Sequence, residues 1–163
     1  TAEEEVEIVR RTTTGARGTP EPILNAQEIM RTQDLVRATP VPDHVIRYAL
    51  RLVRATRVSE PVDASTPRPQ MVKDYVGWGA GPRASEYLIL GAKAKAILTG
   101  TTNVTVDHVR AVAKPVLRHR ILTNFNAEAD QVTTDAIVDA MLRDIPVEGT
   151  TPEEKRMMEA AMR

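Results

Sequence analysis

Gly79-Ala80-Gly81-Pro82-Arg83-Ala84-Ser85 opens a helical stretch that runs to Thr99 and stops at Gly100. Glycine lets the backbone take conformations that a β-carbon forbids. Pro82 suits the first helical position, where its missing N–H leaves nothing unpaired. Arg83 then falls in the first turn, beside free backbone N–H groups and the positive end of the helix dipole. A cation there is locally unfavourable unless an anion offsets it, and a phosphate matches the N–H groups, the dipole and the guanidinium together. On spacing alone, the plainer reading is a helix start carrying a solvated arginine. Tyr87, Leu90, Gly91, Ala94, Ile97 and Leu98 predict the buried stripe of this helix. Gly91 and Ala94 are small enough to admit a neighbouring helix closely.

The same helical signal extends outward in both directions. Residues 2 to 11 begin with Glu3, Glu4 and Glu5 and end with Arg10 and Arg11, the polarity that a helix dipole favours. Gly15, Gly18, Pro20 and Pro22 mark a loop. Asn25 and Glu28 form a capping-box pair before Ala26, Ile29, Met30 and Val36. After Pro40 and Pro42, Val45, Ile46, Ala49, Leu50 and Val53 predict a third apolar stripe. Arg47, Arg51, Arg54 and Arg57 run beside it. A solvated face is the plain meaning of such a row, and a docking surface for an acidic partner or another subunit is its functional one. Residues 58 to 70, with Pro61, Pro67 and Pro69, read as a mobile loop, and Met71 to Val76 as a short turn of helix.

Downstream of Gly100, Thr105 caps a helix with Val109, Val112, Ala113, Val116 and Leu117 on one face, tightened by Pro115. Ile137, Val138, Met141, Leu142 and Ile145 give the last strongly patterned helix, ended by Pro146 and Gly149. Thr151, Pro152 and Glu154 carry a helix-start signature ahead of Met157, Met158, Ala161 and Met162. The sum predicts an all-α bundle of five or six helices with little or no β structure. Residues 1–147 form the main body and 148–163 a tail that holds at most a short helix.

Composition limits the function. The chain has 163 residues, 22 basic and 22 acidic, and only 3% aromatic. The core is therefore aliphatic, and the absent basic excess argues against nucleic acid as a partner, despite a helix at 105–117 that could suit DNA. Cysteine is absent, which excludes disulfides and thiolate metal sites. No apolar run reaches the roughly 20 residues that span a bilayer, and no signal peptide opens the chain, so a cytoplasmic, membrane-free protein is expected. The chain starts at Thr1 rather than at Met, as a processed chain or a piece of a longer one would. His44, His108 and His119 lack a second histidine at ligand spacing, so no metal site is expected. His119, between Arg118 and Arg120, reads as a packing or interface residue rather than a general base. No Gly-rich loop ends in Lys-Ser or Lys-Thr, and no catalytic constellation emerges.

Several segments, in order, resemble the C-terminal lid of the MoxR family of AAA+ ATPases. They are Tyr48-Ala49-Leu50-Arg51-Leu52-Val53-Arg54-Ala55-Thr56-Arg57, Gly79-Ala80-Gly81-Pro82-Arg83-Ala84, Ala92-Lys93-Ala94-Lys95-Ala96, Val104-Thr105-Val106-Asp107-His108-Val109 and Val116-Leu117-Arg118-His119-Arg120-Ile121. The likeness covers about residues 1 to 147. Residues 1–13 look like the helix that leaves the nucleotide-binding core.

The resemblance implies a lid that closes over ATP and couples nucleotide state to chaperone-like action on a client protein. It assigns Arg83 as the sensor 2 arginine that reaches the phosphates, with Gly81 and Pro82 supporting it at the helix start. The family usually has Ser where this chain has Gly81, so a side-chain cap is lost. The resemblance further implies a homo-oligomeric ring, with the ATPase core and neighbouring subunits as partners. ATP and magnesium belong to the core, upstream of Thr1, and the lid alone is expected neither to hydrolyse ATP nor to hold a cofactor. The competing reading is a stand-alone helical interaction module that uses the Arg47, Arg51, Arg54 and Arg57 face.

Overall fold

Local capping chemistry sets most of the helix boundaries. The computed structural model describes residues 1–14, 21–61 and 68–147. The loop centred on Gly15 and Gly18, residues 62–67 of the proline-rich segment 58–70 and the whole tail 148–163 lie outside the described residues. The chain divides into two units, Thr1–Gln33 and Asp34–Arg163.

In the first unit, α1 (Ala2–Thr13) is capped by Thr1, whose Oγ1 accepts from Glu4 N, while the terminal amine meets Glu4 Oε2 at 2.6 Å. That contact, ahead of the smaller effect of the Thr1 hydroxyl, lowers the Glu4 carboxyl below its usual range. Asn25 and Glu28 make the expected reciprocal pair at the start of α2 (Ala26–Ala38), at 2.9 and 2.8 Å. Neither helix contains a buried residue, so Ile29 and Met30 stand exposed.

The second unit contains the core. Its helices are α3 (Asp43–Ala55), α4 (Gln70–Tyr75), α5 (Pro82–Leu98), α6 (Val106–Leu117), α7 (Phe125–Ala129) and α8 (Thr134–Asp144). α5 packs most extensively on α6, and α3 and α8 complete the bundle. Tyr48 and Leu52 from α3, Leu88 from α5, Val109 and Leu117 from α6 and Ile137 and Met141 from α8 are fully buried. Each aliphatic side chain of Leu or Ile size contributes about 1.5–3 kcal/mol by leaving water. Thr133 caps α8 through Ala136 N at 3.2 Å, and Gly100, at φ +73°, ends α5 as expected. Pro115 falls close enough to the end of α6 that the helix still runs to Leu117.

Two readings are corrected here. First, α5 does not bury the predicted stripe. Ala84, Leu88, Ala92 and Ala96 face inward, while Tyr87, Leu90 and Leu98 are exposed. The helix is apolar almost all round, so periodicity could not choose a face. Packing chose the alanine row because small residues let α3 and α6 approach, and Gly91 likewise leaves room for Val112. Second, Ile46 and Leu50 of α3 are exposed, and Tyr48 and Leu52 take their place in the core. The all-α bundle holds little β structure, as expected: one short antiparallel ribbon, β1 (Val76–Trp78) with β2 (Leu122–Thr123), pairing Val76 with Thr123 and Trp78 with Leu122. Asn124 secures it, donating to the Tyr75 and Asp74 carbonyls at 2.9 and 2.8 Å and capping the unforeseen α7 through Ala127 N.

Candidate functional site

The start of α5 is held by the end of α3. Thr56 is fully buried just past α3, and its Oγ1 accepts from Ala80 N at 2.8 Å while donating to Val53 O at 2.6 Å. Arg57 Nε donates to Ala80 O at 3.0 Å, and its Nη1 pairs with Glu60 Oε1 at 3.0 Å. Both backbone groups of Ala80 are thus satisfied by neighbouring side chains on one segment.

Gly79 makes this clamp possible. A β-carbon there would lie 2.2 Å from Thr56 O and 2.7 Å from Arg57 N, closer than any real contact and against backbone that cannot swing aside. Gly81 differs. Its φ is −75°, and a β-carbon would meet nothing within 4 Å. It is the N-cap of α5 but offers no side chain to accept an N–H, so the cap expected of a serine is absent. Pro82 occupies the first helical position and Arg83 the next.

Arg68 braces the same region. Its guanidinium donates to four carbonyls: Ala55 at 3.3 Å, Val58 at 3.4 Å, Arg57 at 2.6 Å and Glu60 at 2.9 Å. These include the carbonyl of Ala55, the last residue of α3, where a cation is also favoured by the dipole.

Arg83 is exposed and makes no hydrogen bond or ion pair among the described residues. Gly81 and Pro82, with Arg57, Glu60 and Trp78, line a groove of about 400 Å³ at the foot of the helix. Arg83 does not line it. Trp78, at 70% exposure, forms an open aromatic wall.

The arginine row does not form one free face. Arg47 and Arg54 are exposed, and Arg54 reaches Glu60 only at 3.9 Å. Arg51 is half-buried, lies 5.9 Å over the Tyr48 ring and donates to Val147 O at 3.2 Å. Burial lowers its pKa below the usual arginine value, and the nearby Tyr48 pulls it back up. Arg57 belongs to the α5 clamp. The four therefore split into two surface groups and two internal braces.

His119 is exposed and contacts the Arg120 guanidinium. Arg120 in turn donates to Val116 O at 2.6 Å and stacks 4.9 Å over Tyr87, which explains why that ring is not in the core. Buried His108 is structural: its Nδ1 accepts from Thr105 N at 3.1 Å and its Nε2 meets Thr99 Oγ1 at 3.2 Å. Among the described residues no group of three His, Asp or Glu could hold a metal ion, and no helix is long and apolar enough to cross a membrane.

Sequence reasoning named Gly81, Pro82 and Arg83 at the start of α5 but missed the parts that fix that start. Thr56, Arg68 and Trp78 act through contacts between distant segments, and nothing local distinguishes them. Gly79 was in view, but its reason, a close approach to Thr56, exists only in three dimensions.

Comparison with known proteins places this geometry. Residues 68–141 match the AAA lid domain family. Chaperone MoxR1 of Mycobacterium tuberculosis is 30% identical over 123 residues, which are 76% of this chain and 31% of that protein. The chain thus spans about a third of that relative's length. A crystal structure of an inferred ATPase from Cytophaga hutchinsonii superposes with a TM-score of 0.72 and 26% identity, covering 90% of this chain and 43% of the other.

Proposed function

Because this chain carries an AAA+ lid of the MoxR kind, we propose that it closes over ATP bound with magnesium on a nucleotide-binding domain. Closure then passes the nucleotide state on as chaperone-like action on a client protein. The observation that carries this reading is the placement of Arg83. It is the second residue of a 17-residue helix, exposed and without an internal partner among the described residues.

A cation in the first turn opposes the helix dipole by about 0.3–1 kcal/mol, and a polyphosphate at that end reverses the sign. The planar fork of arginine matches phosphate oxygens two at a time. The clamp at Ala80 ties the start of α5 to α3, so a pull on Arg83 is a pull on the helical unit rather than on a loose loop. ATP shifts the open–closed balance only by what it binds better in the closed state, and Arg83 supplies that difference. Magnesium, bound with ATP, is assigned to the nucleotide-binding domain. Ring assembly from copies of the same polypeptide, with Arg47 and Arg54 toward a neighbour, completes the proposal.

The test is Arg83→Ala in the ATPase polypeptide that joins this lid to its nucleotide-binding domain. Losing a charge-assisted phosphate contact of about 1.5–3 kcal/mol weakens ATP affinity or turnover about 10- to 100-fold. Arg83→Lys keeps the charge without the fork and falls between the two. Unchanged affinity and turnover in Arg83→Ala would refute the assignment.

A further inference from the structure

Tyr87 follows Arg83 by four residues on α5, so the two share a face, about 40° apart around the helix. A helical side chain leans toward the N-terminus, which carries the Tyr87 ring back over the turn that holds Arg83. The ring stays 48% exposed, and Arg120, brought in from just past α6, lies 4.9 Å over it. Two arginines from separate segments are thus gathered at one end of α5. We propose that Arg120 is a second phosphate-binding cation beside Arg83, held there by the Tyr87 ring. This rests on the reading of Arg83 as the residue that meets ATP, and it makes the site a two-arginine grip on the polyphosphate.

The contacts of Arg120 prepare it for that role. Its Nη1 donates to Val116 O at 2.6 Å and meets His119 Nε2, so one side of the guanidinium is held. Its Nε and Nη2 make no hydrogen bond among the described residues. Those two donors point along one edge of the fork, the edge that meets two oxygens of a phosphate at once. An arginine already fixed by a ring and a carbonyl loses less side-chain freedom when it binds.

The charge balance points the same way. Neither Arg83 nor Arg120 forms an ion pair among the described residues, whereas neighbouring Arg118 meets Asp135 at 2.9 Å and Lys114 meets Asp139 at 2.8 Å. Glu86, the acidic residue nearest Arg83 in sequence, lies about 60° around α5 in the opposite sense to Tyr87. It lines a groove with Ile46 and Leu50 of α3 instead. Two cations gathered at a helix start repel each other and oppose the dipole, and a polyphosphate relieves both.

The test measures ATP affinity of the polypeptide that joins this lid to its nucleotide-binding domain, at one ionic strength. Arg120→Gln removes the charge but keeps a donor for Val116 O, so the end of α6 stays formed. It should weaken ATP binding about tenfold, as loss of a charge-assisted contact does. Arg120→Lys should recover part of that loss. Arg118→Ala removes the same charge two residues away and should change affinity less than about twofold. Tyr87→Phe keeps the ring and the affinity. Tyr87→Ala should lose about as much as Arg120→Gln, but nothing further when combined with it, a pattern that a merely structural tyrosine would not give. Unaltered affinity in Arg120→Gln, with the loss in Arg83→Ala retained, overturns this inference and leaves the Arg83 reading standing. Unaltered affinity in both variants removes the two together. Equal losses in Arg118→Ala and Arg120→Gln also overturn it, because they would reflect the field of any cation on this surface.

Discussion

Gly79→Ala adds one methyl group to the loop before α5, and the geometry makes it severe. The new carbon would sit 2.2 Å from Thr56 O, 2.5 Å from Thr56 C and 2.7 Å from Arg57 N. All three are backbone atoms, so relief requires the end of α3 and the start of α5 to separate by more than 1 Å, a distance taken from ordinary contact lengths. Overpacking of this kind costs about 1–3 kcal/mol. The separation also stretches the buried Ala80 N to Thr56 Oγ1 bond, at 2.8 Å, and the Arg57 Nε to Ala80 O bond, at 3.0 Å. A buried polar group left unpaired adds about 1–3 kcal/mol. The combined loss of about 2–6 kcal/mol is a large part of the 5–15 kcal/mol that typically holds a domain. The assay is urea or thermal unfolding of the whole chain, followed by circular dichroism. Gly81→Ala is the internal control, because its β-carbon meets nothing and its φ suits any residue, so it should cost no more than the roughly 1 kcal/mol by which alanine is the poorer N-cap. Equal unfolding midpoints for the two variants would show that the two segments do not approach as described.

Other outcomes follow from the same contacts. Arg68→Ala removes the guanidinium from four carbonyls and should destabilise the chain by about 2 kcal/mol, with Arg68→Lys recovering less than half, measured by urea unfolding. Tyr48 is fully buried, and burial raises its phenol above the usual value even though Arg110 pulls it down. The folded state therefore favours the neutral form, and this stability is intact below the unfolded value near 10 and is lost as pH rises through the higher folded value. Tyr48→Phe should flatten that alkaline loss while costing about 1 kcal/mol at neutral pH, read from stability against pH.

Much of the bundle was legible because its signals are local. Thr105, Gly100, Pro82 and the Asn25–Glu28 pair mark helix ends by chemistry confined to one turn. α6 and α8 show one apolar face each, so their buried residues could be read directly. α5 could not be read this way, since Leu, Ile, Ala and Gly surround it and only its neighbours decide which side is inside. The β ribbon and α7 are too short for periodicity, and they depend on Asn124 bridging segments 50 residues apart. The site shows the same division. Arg83 stands out at a helix start, where a cation needs a reason. Thr56, Arg57 and Arg68 hold that start in place through contacts that no window of sequence contains, and half of the arginine row that looked like a surface turned out to be internal bracing.

The central claim is that Arg83 makes lid closure depend on bound nucleotide. Closure can be followed by energy transfer between a dye on α8 and one on the nucleotide-binding domain of the joined polypeptide, as ATP is titrated. The account predicts that Arg83→Ala raises the ATP concentration for half-closure about 10- to 100-fold, while Arg47→Ala leaves it unchanged. Closure of Arg83→Ala at the same ATP concentration as the unaltered polypeptide would contradict it.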